Sequence, residues 1–212
     1  MKLVRKKQFS NIIKNKQPLL VILSGPSGAG KDAVLAKMKE LGYLFHYVVT
    51  ATTRPKRIGE IDRVHYRFIS EEQFQKMVKG KKFLEWAKVY GNYYGVPKEE
   101  IKKALKSGQD VVVKVDVQGA ATLKQIVSEA VFIFLITPSM DELADRLRQR
   151  NNHQSPSDLK LRLKKAEEEM ESLSIFDYCV VNHNNNIGLT VSQISSIITS
   201  EKCRMNRRII KL

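Results

Sequence analysis

Short apolar runs alternate along this chain with stretches of helical character, and that alternation predicts the fold. Pro18-Leu19-Leu20-Val21-Ile22-Leu23-Ser24 is a continuous apolar run closed by glycines, the pattern of a strand buried on both faces. A helical stretch follows from Lys31, then a second strand over Phe45 to Val49. Residues 50–97 are richer in aromatics and in alternation than their flanks, as in Val64-His65-Tyr66-Arg67-Phe68-Ile69, and read as a small β-rich insert. Beyond it the pattern predicts a helix near 98–107, a strand over Asp110 to Asp116, a helix from about Gln118 and a strand over Ala130 to Ile136. Ser139 with Glu142 makes a capping-box start for a helix to about Arg150, and 151–156 is a polar break. Ser157-Asp158 is placed to cap a further helix to about 173, before a strand at Tyr178 to Val181 and a last amphipathic helix around 189–200. Such an order implies an α/β fold with a parallel sheet covered by helices on both faces.

At 212 residues and 42% hydrophobic, the chain can bury one sizeable core, expected from 18–49 and 98–200, with 50–97 inserted between the halves. No apolar run reaches membrane-span length, and the basic N-terminus lacks the apolar centre of a signal peptide, so a cytoplasmic protein is expected. Cys179 and Cys203 form no CxxC pair and read as ordinary small apolar side chains of a reducing compartment. The net charge of +15 suggests nucleic acid until it is located: residues 1–17 carry six basic residues and no acid, and 201–212 carry five against Glu201. These are read as solvated tails, so no nucleic-acid or membrane partner is expected. Nothing in the sequence sets an oligomeric state. His46, His65, His153 and His183 are scattered over different elements and suggest no metal or triad site, while Leu143, Leu147, Leu161 and Leu163 read as core faces of helices.

Chemistry enters with Gly25-Pro26-Ser27-Gly28-Ala29-Gly30-Lys31-Asp32, set between a buried strand and a helix, the context of a phosphate-binding loop. Glycines let several backbone N–H groups point at one phosphate, the helix N-terminus adds positive potential, and Lys31 reaches the outer phosphates. A nucleoside triphosphate with Mg²⁺ is the implied ligand, and the fold is refined to a P-loop NTPase-type sheet. Asp32 stands where the motif has a Ser or Thr hydroxyl on the metal. Two readings stay open: the carboxylate takes the metal as a hard oxygen ligand, or it disables the site. Asp116 ends an apolar strand, the place of an acid that orients a metal-bound water; Lys114 shares its face, and a salt bridge between the two is the alternative.

Arg54 and Arg57 bracket a proline turn, so their guanidinium forks can face one dianion or simply sit in solvent. With Thr50-Ala51-Thr52-Thr53-Arg54-Pro55-Lys56-Arg57-Ile58-Gly59-Glu60, Phe83-Leu84-Glu85-Trp86-Ala87, Gly91-Asn92-Tyr93-Tyr94-Gly95 and Val117-Gln118-Gly119 in this order, residues 18–200 resemble the guanylate kinase family. The resemblance implies transfer of the γ-phosphoryl group of ATP to GMP and dGMP. It implies that Arg54, Arg57, Tyr66 and Tyr94 hold the GMP phosphate, with Gly95 and Asp116 beside it, and that Glu85 and Thr50 read guanine. It further implies lid arginines at Arg146, Arg150 and Arg162 around a lid at about 150–160, and Asn182 near the adenine. On residues alone, Glu142 with Arg146 and Asp158 with Arg162 have the spacing of ordinary helix salt bridges. Val96, Lys114 and His183 depart from the family pattern. Three rivals remain: a related small kinase acting on a phosphorylated ribose, a guanylate-kinase-like binding module without catalysis, and nucleic-acid binding through the basic tails.

Overall fold

The computed structural model describes residues 17–150 and 156–212, the side chains of Arg150 and Pro156 excepted. Strands β1 (Leu20–Ser24), β2 (His46–Tyr47), β7 (Val111–Lys114), β8 (Val131–Ile136) and β9 (Tyr178–Val181) form one sheet in the order β2-β7-β1-β8-β9, every pair parallel. The central strand is apolar up to its last residue, Ser24, because both its faces are covered. Leu20 and Ile22 point into one layer, where they meet Ile101 and Ala104 of α3 (Lys98–Lys106) and Ala120 and Leu123 of α4 (Val117–Ile126). Leu19, Val21 and Leu23 point into the other, against α1 (Lys31–Glu40) and α7 (Ile187–Lys202). A parallel sheet of this kind gathers its loops at the C-terminal strand ends, which is where ligands bind in such folds.

A second sheet, of order β4-β3-β6-β5, is built from β3 (Ala51–Thr52), β4 (Arg67–Phe68), β5 (Phe83–Val89) and β6 (Asn92–Pro97). It packs on α2 (Glu71–Lys79), a helix the alternation pattern concealed. Its signal was nonetheless present: Ser70 Oγ accepts from the Gln73 N–H at 3.2 Å, and Gln73 returns the contact to the Ser70 N–H at 3.3 Å. Phe74 of this helix is fully buried and stacks on Phe83, with ring centroids 4.6 Å apart.

Other expectations need correction. Ser139 does cap α5 (Met140–Arg150), its hydroxyl accepting from the Glu142 N–H at 3.1 Å, but the Glu142 carboxylate turns to Arg146 instead of closing a capping box. Helix α6 (Pro156–Met170) begins at Pro156, whose missing N–H costs nothing in a first turn, so Ser157 and Asp158 lie inside the helix. Leu143 and Leu147 are core residues, whereas Leu161 is 58% exposed. Cys179 and Cys203 are both exposed, not packed as small apolar side chains.

The C-terminal tail is no solvated end either. Arg208 Nε lies 2.8 Å from Glu201 in α7, its Nη1 donates to the Ala130 carbonyl at 2.9 Å, and its Nη2 lies 3.3 Å from Asp177. Ile210 and Leu212 then pack on the core. Glu201 is buried, and burial would raise its carboxyl, yet hydrogen bonds from Arg208 and Tyr178 prevail and hold it down at about 2. That stabilisation is present above the ordinary value of 4.5 and is lost as pH falls through about 2. Arg208→Ala strands the buried Glu201 with weaker partners and is expected to lower the unfolding free energy by about 3 kcal/mol, read from the urea midpoint at pH 7. Among the described residues no helix is long and apolar enough to cross a membrane.

Candidate active site

The phosphate-loop segment leaves β1 and turns into α1 at the C-terminal edge of the parallel sheet. Two of its glycines are required by contact as well as by conformation. Gly25, at φ +134°, faces the backbone of β8, where an added Cβ would stand 2.1 Å from the Leu135 carbonyl oxygen. Gly30, at φ +97°, caps α1, and a Cβ there would meet the Asn182 amide at 2.3 Å. Lys31 folds its ammonium back onto the Gly25 and Pro26 carbonyls, the latter at 3.0 Å. Burial lowers its pKa to about 8 against the attraction of Glu169 and Asp32. The loop therefore holds its cation over its own carbonyls, where a phosphate oxygen would compete for it.

The loop is braced from β9 and α5. Asn182 Nδ2 donates to the Ala29 carbonyl at 2.8 Å while its Oδ1 accepts from Thr190, so its side chain supports the loop. Arg146 donates to the Ala29 and Asn182 carbonyls at 3.2 and 2.6 Å and to Asn184 at 3.1 Å. It borders the cleft as a member of this brace. Arg150 ends α5, and its side chain lies outside the described residues, as do residues 151–155 of the expected lid.

A cavity of about 480 Å³ opens between the loop and the second sheet. It brings together Gly25, Ser27, Gly28, Gly30, Lys31 and Asp32 from one side with Thr50, Arg54, Arg57, Tyr66, Glu85 and Tyr94 from the other. Asp116, Arg146 and Arg162 complete its wall among the expected residues, whereas Gly95 lies outside it, its open face filled by the Phe83 ring. Arg54 is held at Glu60 (2.7 Å) and at the Pro55 carbonyl (2.6 Å). It lies 5.4 Å from the Tyr66 ring centroid. Burial acts against the arginine's charge, but Glu60 and Tyr94 outweigh it. Glu60 also accepts from the Arg57 N–H at 2.8 Å, so one carboxylate sets both arginines' turn.

Glu85 sits at the far end, on β5. It is 5% exposed, and its Oε1 has no hydrogen-bond partner. Its carboxyl lies against Gly119 of α4, where a Cβ would come within 3.0 Å of Oε1, so the glycine clears the carboxyl's place. Burial, reinforced by Asp116, raises its pKa to about 8. Thr50 borders the same end, its hydroxyl on the Lys114 carbonyl at 3.4 Å. Asp116 is the N-cap of α4, accepting from the Gly119 N–H at 3.0 Å.

The sequence reading leaves Lys114 outside the site and does not single out Glu169 or Tyr90. Lys114 pairs with Asp32, not with Asp116, because β1 and β7 are neighbours in register and the end of β7 faces the start of α1. Its ammonium stands 3.9 Å from the Tyr66 ring centroid. Burial opposes its charge, but Tyr66 and Asp32 prevail and leave its pKa raised. Glu169 of α6 reaches the cavity near Lys31, and burial raises its carboxyl to about 7. Tyr90, at φ +47° on the tip of the β5–β6 hairpin, lies under Arg162 (5.1 Å) and Lys165 (4.7 Å) of α6. No spacing in the sequence signals these pairings; only the fold brings them together.

A phosphate loop on a parallel sheet, facing arginines and a buried acid across one cleft, defines a small phosphoryl-transfer enzyme of the nucleotide kinase class. The guanylate kinase family model matches residues 17–201, and the chain belongs to the guanylate kinase family. It is 44% identical to "Guanylate kinase 2, chloroplastic/mitochondrial" of Oryza sativa, over 92% of this chain and 69% of that one. It is likewise 44% identical to guanylate kinase of Caldanaerobacter subterraneus, over 91% of this chain and 92% of that one. Its fold matches the crystal structure of guanylate kinase from Anaplasma phagocytophilum with a TM-score of 0.75 at 30% identity, covering 92% of both chains.

Proposed function

We propose that this enzyme transfers the γ-phosphoryl group of ATP to GMP, and to dGMP, within the cleft between the phosphate loop and the second sheet. The observation that carries the assignment of roles is Glu85, a buried acid with a partnerless oxygen at the end of a cleft whose other end is a phosphate loop. As a carboxylate it accepts from the ring N–H and exocyclic amine of guanine, with Thr50 alongside; adenine offers no such donor pair along that edge. Arg54, Arg57, Tyr66 and Tyr94 hold the acceptor's phosphate, with Glu60 fixing the arginines. Lys31 leaves the Gly25 and Pro26 carbonyls for the outer phosphates of ATP. An oxygen of the GMP phosphate attacks the γ-phosphorus in line; the new P–O bond forms as the bond to the β-bridging oxygen breaks, and Lys31, Arg146 and Arg162 balance the charge spread over the transferring group. Arg150 belongs with them by the family pattern.

Mg²⁺ suits the donor set. Asp32 and Asp116 are hard oxygen ligands bordering the cleft, and among the described residues no cluster of three or more His, Cys, Asp or Glu could form a metal cage. Two carboxylates completed by phosphate oxygens are the usual hold on this ion. When bound, it neutralises the phosphates of the nucleotide. The reading divides the chain into a core (18–49 and 98–200) and an acceptor-binding insert (50–97), and it extends to a cytosolic setting, which the unpaired Cys179 and Cys203 suit.

A coupled assay of ADP release with ATP and Mg²⁺ tests the proposal, with GMP, dGMP, AMP, UMP, CMP and a ribose phosphate offered in turn. Turnover confined to GMP and dGMP is the expected result. Turnover with the ribose phosphate would favour the related small kinase, and absence of turnover with every acceptor would favour the binding module without catalysis.

A further inference from the structure

Lys114 has no task among the roles assigned above, and its partner Asp32 has one only when Mg²⁺ is bound. Asp32 occupies the second position of α1, beside the place where the loop gathers phosphates, and its side chain is 45% exposed to the cleft. A carboxylate there repels a polyphosphate. Lys114 answers it from β7, with a side chain only 11% exposed and an ammonium shared between the Asp32 carboxylate and the face of Tyr66. A lysine so enclosed stays charged only with partners, and these two are its partners.

Resting on the kinase reading and deepening it, we propose that Lys114 is the counter-charge of the phosphate loop: its ammonium cancels Asp32, so that the loop accepts a nucleotide's phosphates with no net negative side chain beside them. Lys114 is then a positioning residue for the nucleotide. Its place on Tyr66 also ties the loop to the acceptor side of the cleft. The two losses act in opposite directions: without Lys114 an uncancelled carboxylate repels the phosphates, and without Asp32 an uncancelled ammonium attracts them. Removing both restores neutrality.

The test is ADP binding by calorimetry in EDTA, so that no metal enters the reading. Lys114→Met is expected to weaken ADP about tenfold, Asp32→Asn to tighten it about threefold by freeing the ammonium for the phosphates, and the double variant to return within about threefold of the wild type. Lys114→Arg, which keeps the charge, should retain the affinity. A purely structural pair would lower the melting temperature of Lys114→Met and leave its ADP affinity within twofold of wild type, which would overturn the inference. Should Lys114→Met fail to fold, Asp32→Asn decides: tighter binding supports the inference and weaker or unchanged binding overturns it. If the wild type binds no ADP in EDTA, or binds it with an affinity the variants match, the inference is overturned; the kinase reading is decided separately, by turnover of GMP with ATP and Mg²⁺.

Discussion

Glu85→Ala is expected to lower kcat/KM for GMP by about 10²- to 10³-fold, a loss of a few kcal/mol, while ADP binding at the phosphate loop stays unchanged. The size follows from burial. Glu85 is 5% exposed with Oε1 unpartnered, so guanine meets an acceptor that water does not satisfy, and truncation leaves two guanine donors facing an apolar void. The change should raise KM and lower kcat together, because a base held loosely at one end places its phosphate loosely at the other. Steady-state kinetics with GMP as varied substrate, alongside calorimetric ADP binding, measure both arms. An unchanged kcat/KM would remove Glu85 from base recognition.

The second large effect is on pH. Burial sets the Glu85 carboxyl at about 8 before GMP arrives, so near neutrality the acid is mostly protonated and presents an O–H to a guanine edge that also donates. The ionised form is the one that binds. GMP affinity should therefore rise with pH and level off near pH 8, changing about tenfold per pH unit between 6.5 and 7.5. Binding in that window releases close to one proton, which calorimetry in two buffers of different ionisation enthalpy reads directly. Glu85→Gln should abolish the release. The same raised value fixes the sign for stability: the folded chain holds a proton that the unfolded chain gives up near 4.5, so this residue makes the unliganded enzyme less stable as pH rises from 4.5 through about 8. A flat affinity profile would show that Glu85 carries the same charge before and after GMP binds, which removes the proposed proton release.

Much of this site is written locally and was therefore readable. The strand before Gly25, the loop to Asp32 and the helix after it are consecutive, and their spacing carries their geometry. Glu85 and the Tyr93-Tyr94 segment were found through the order of family motifs. The Asp32–Lys114 pair was not legible because it joins residues 82 positions apart, and only the parallel pairing of Leu23 with Lys114 decides which acid the lysine meets. Asn182 is a similar case: spacing placed it at a strand end, but its use as a brace depends on how closely Gly30 lets β9 approach. Helix α2 was hidden by the aromatic residues on its flanks, although Ser70 and Gln73 carried the start signal. The C-terminal tail was misread because a charge count cannot know that Glu201 and Asp177 lie within reach of Arg208.

Tyr90 bears on timing. Two cations over one partly exposed ring are worth about 1–2 kcal/mol together, so a population fastened by this contact exceeds the unfastened one by only about five- to thirtyfold. A clasp of that strength between α6 and the hairpin tip comes apart on thermal energy alone. The contact joins the two walls at their rim, and Arg162, one of its two cations, is also assigned to the transferring phosphoryl group, so phosphates in the cleft compete with the Tyr90 ring for it. On those roles the rim is held by both cations when the cleft is empty and by Lys165 alone when phosphates draw Arg162 away.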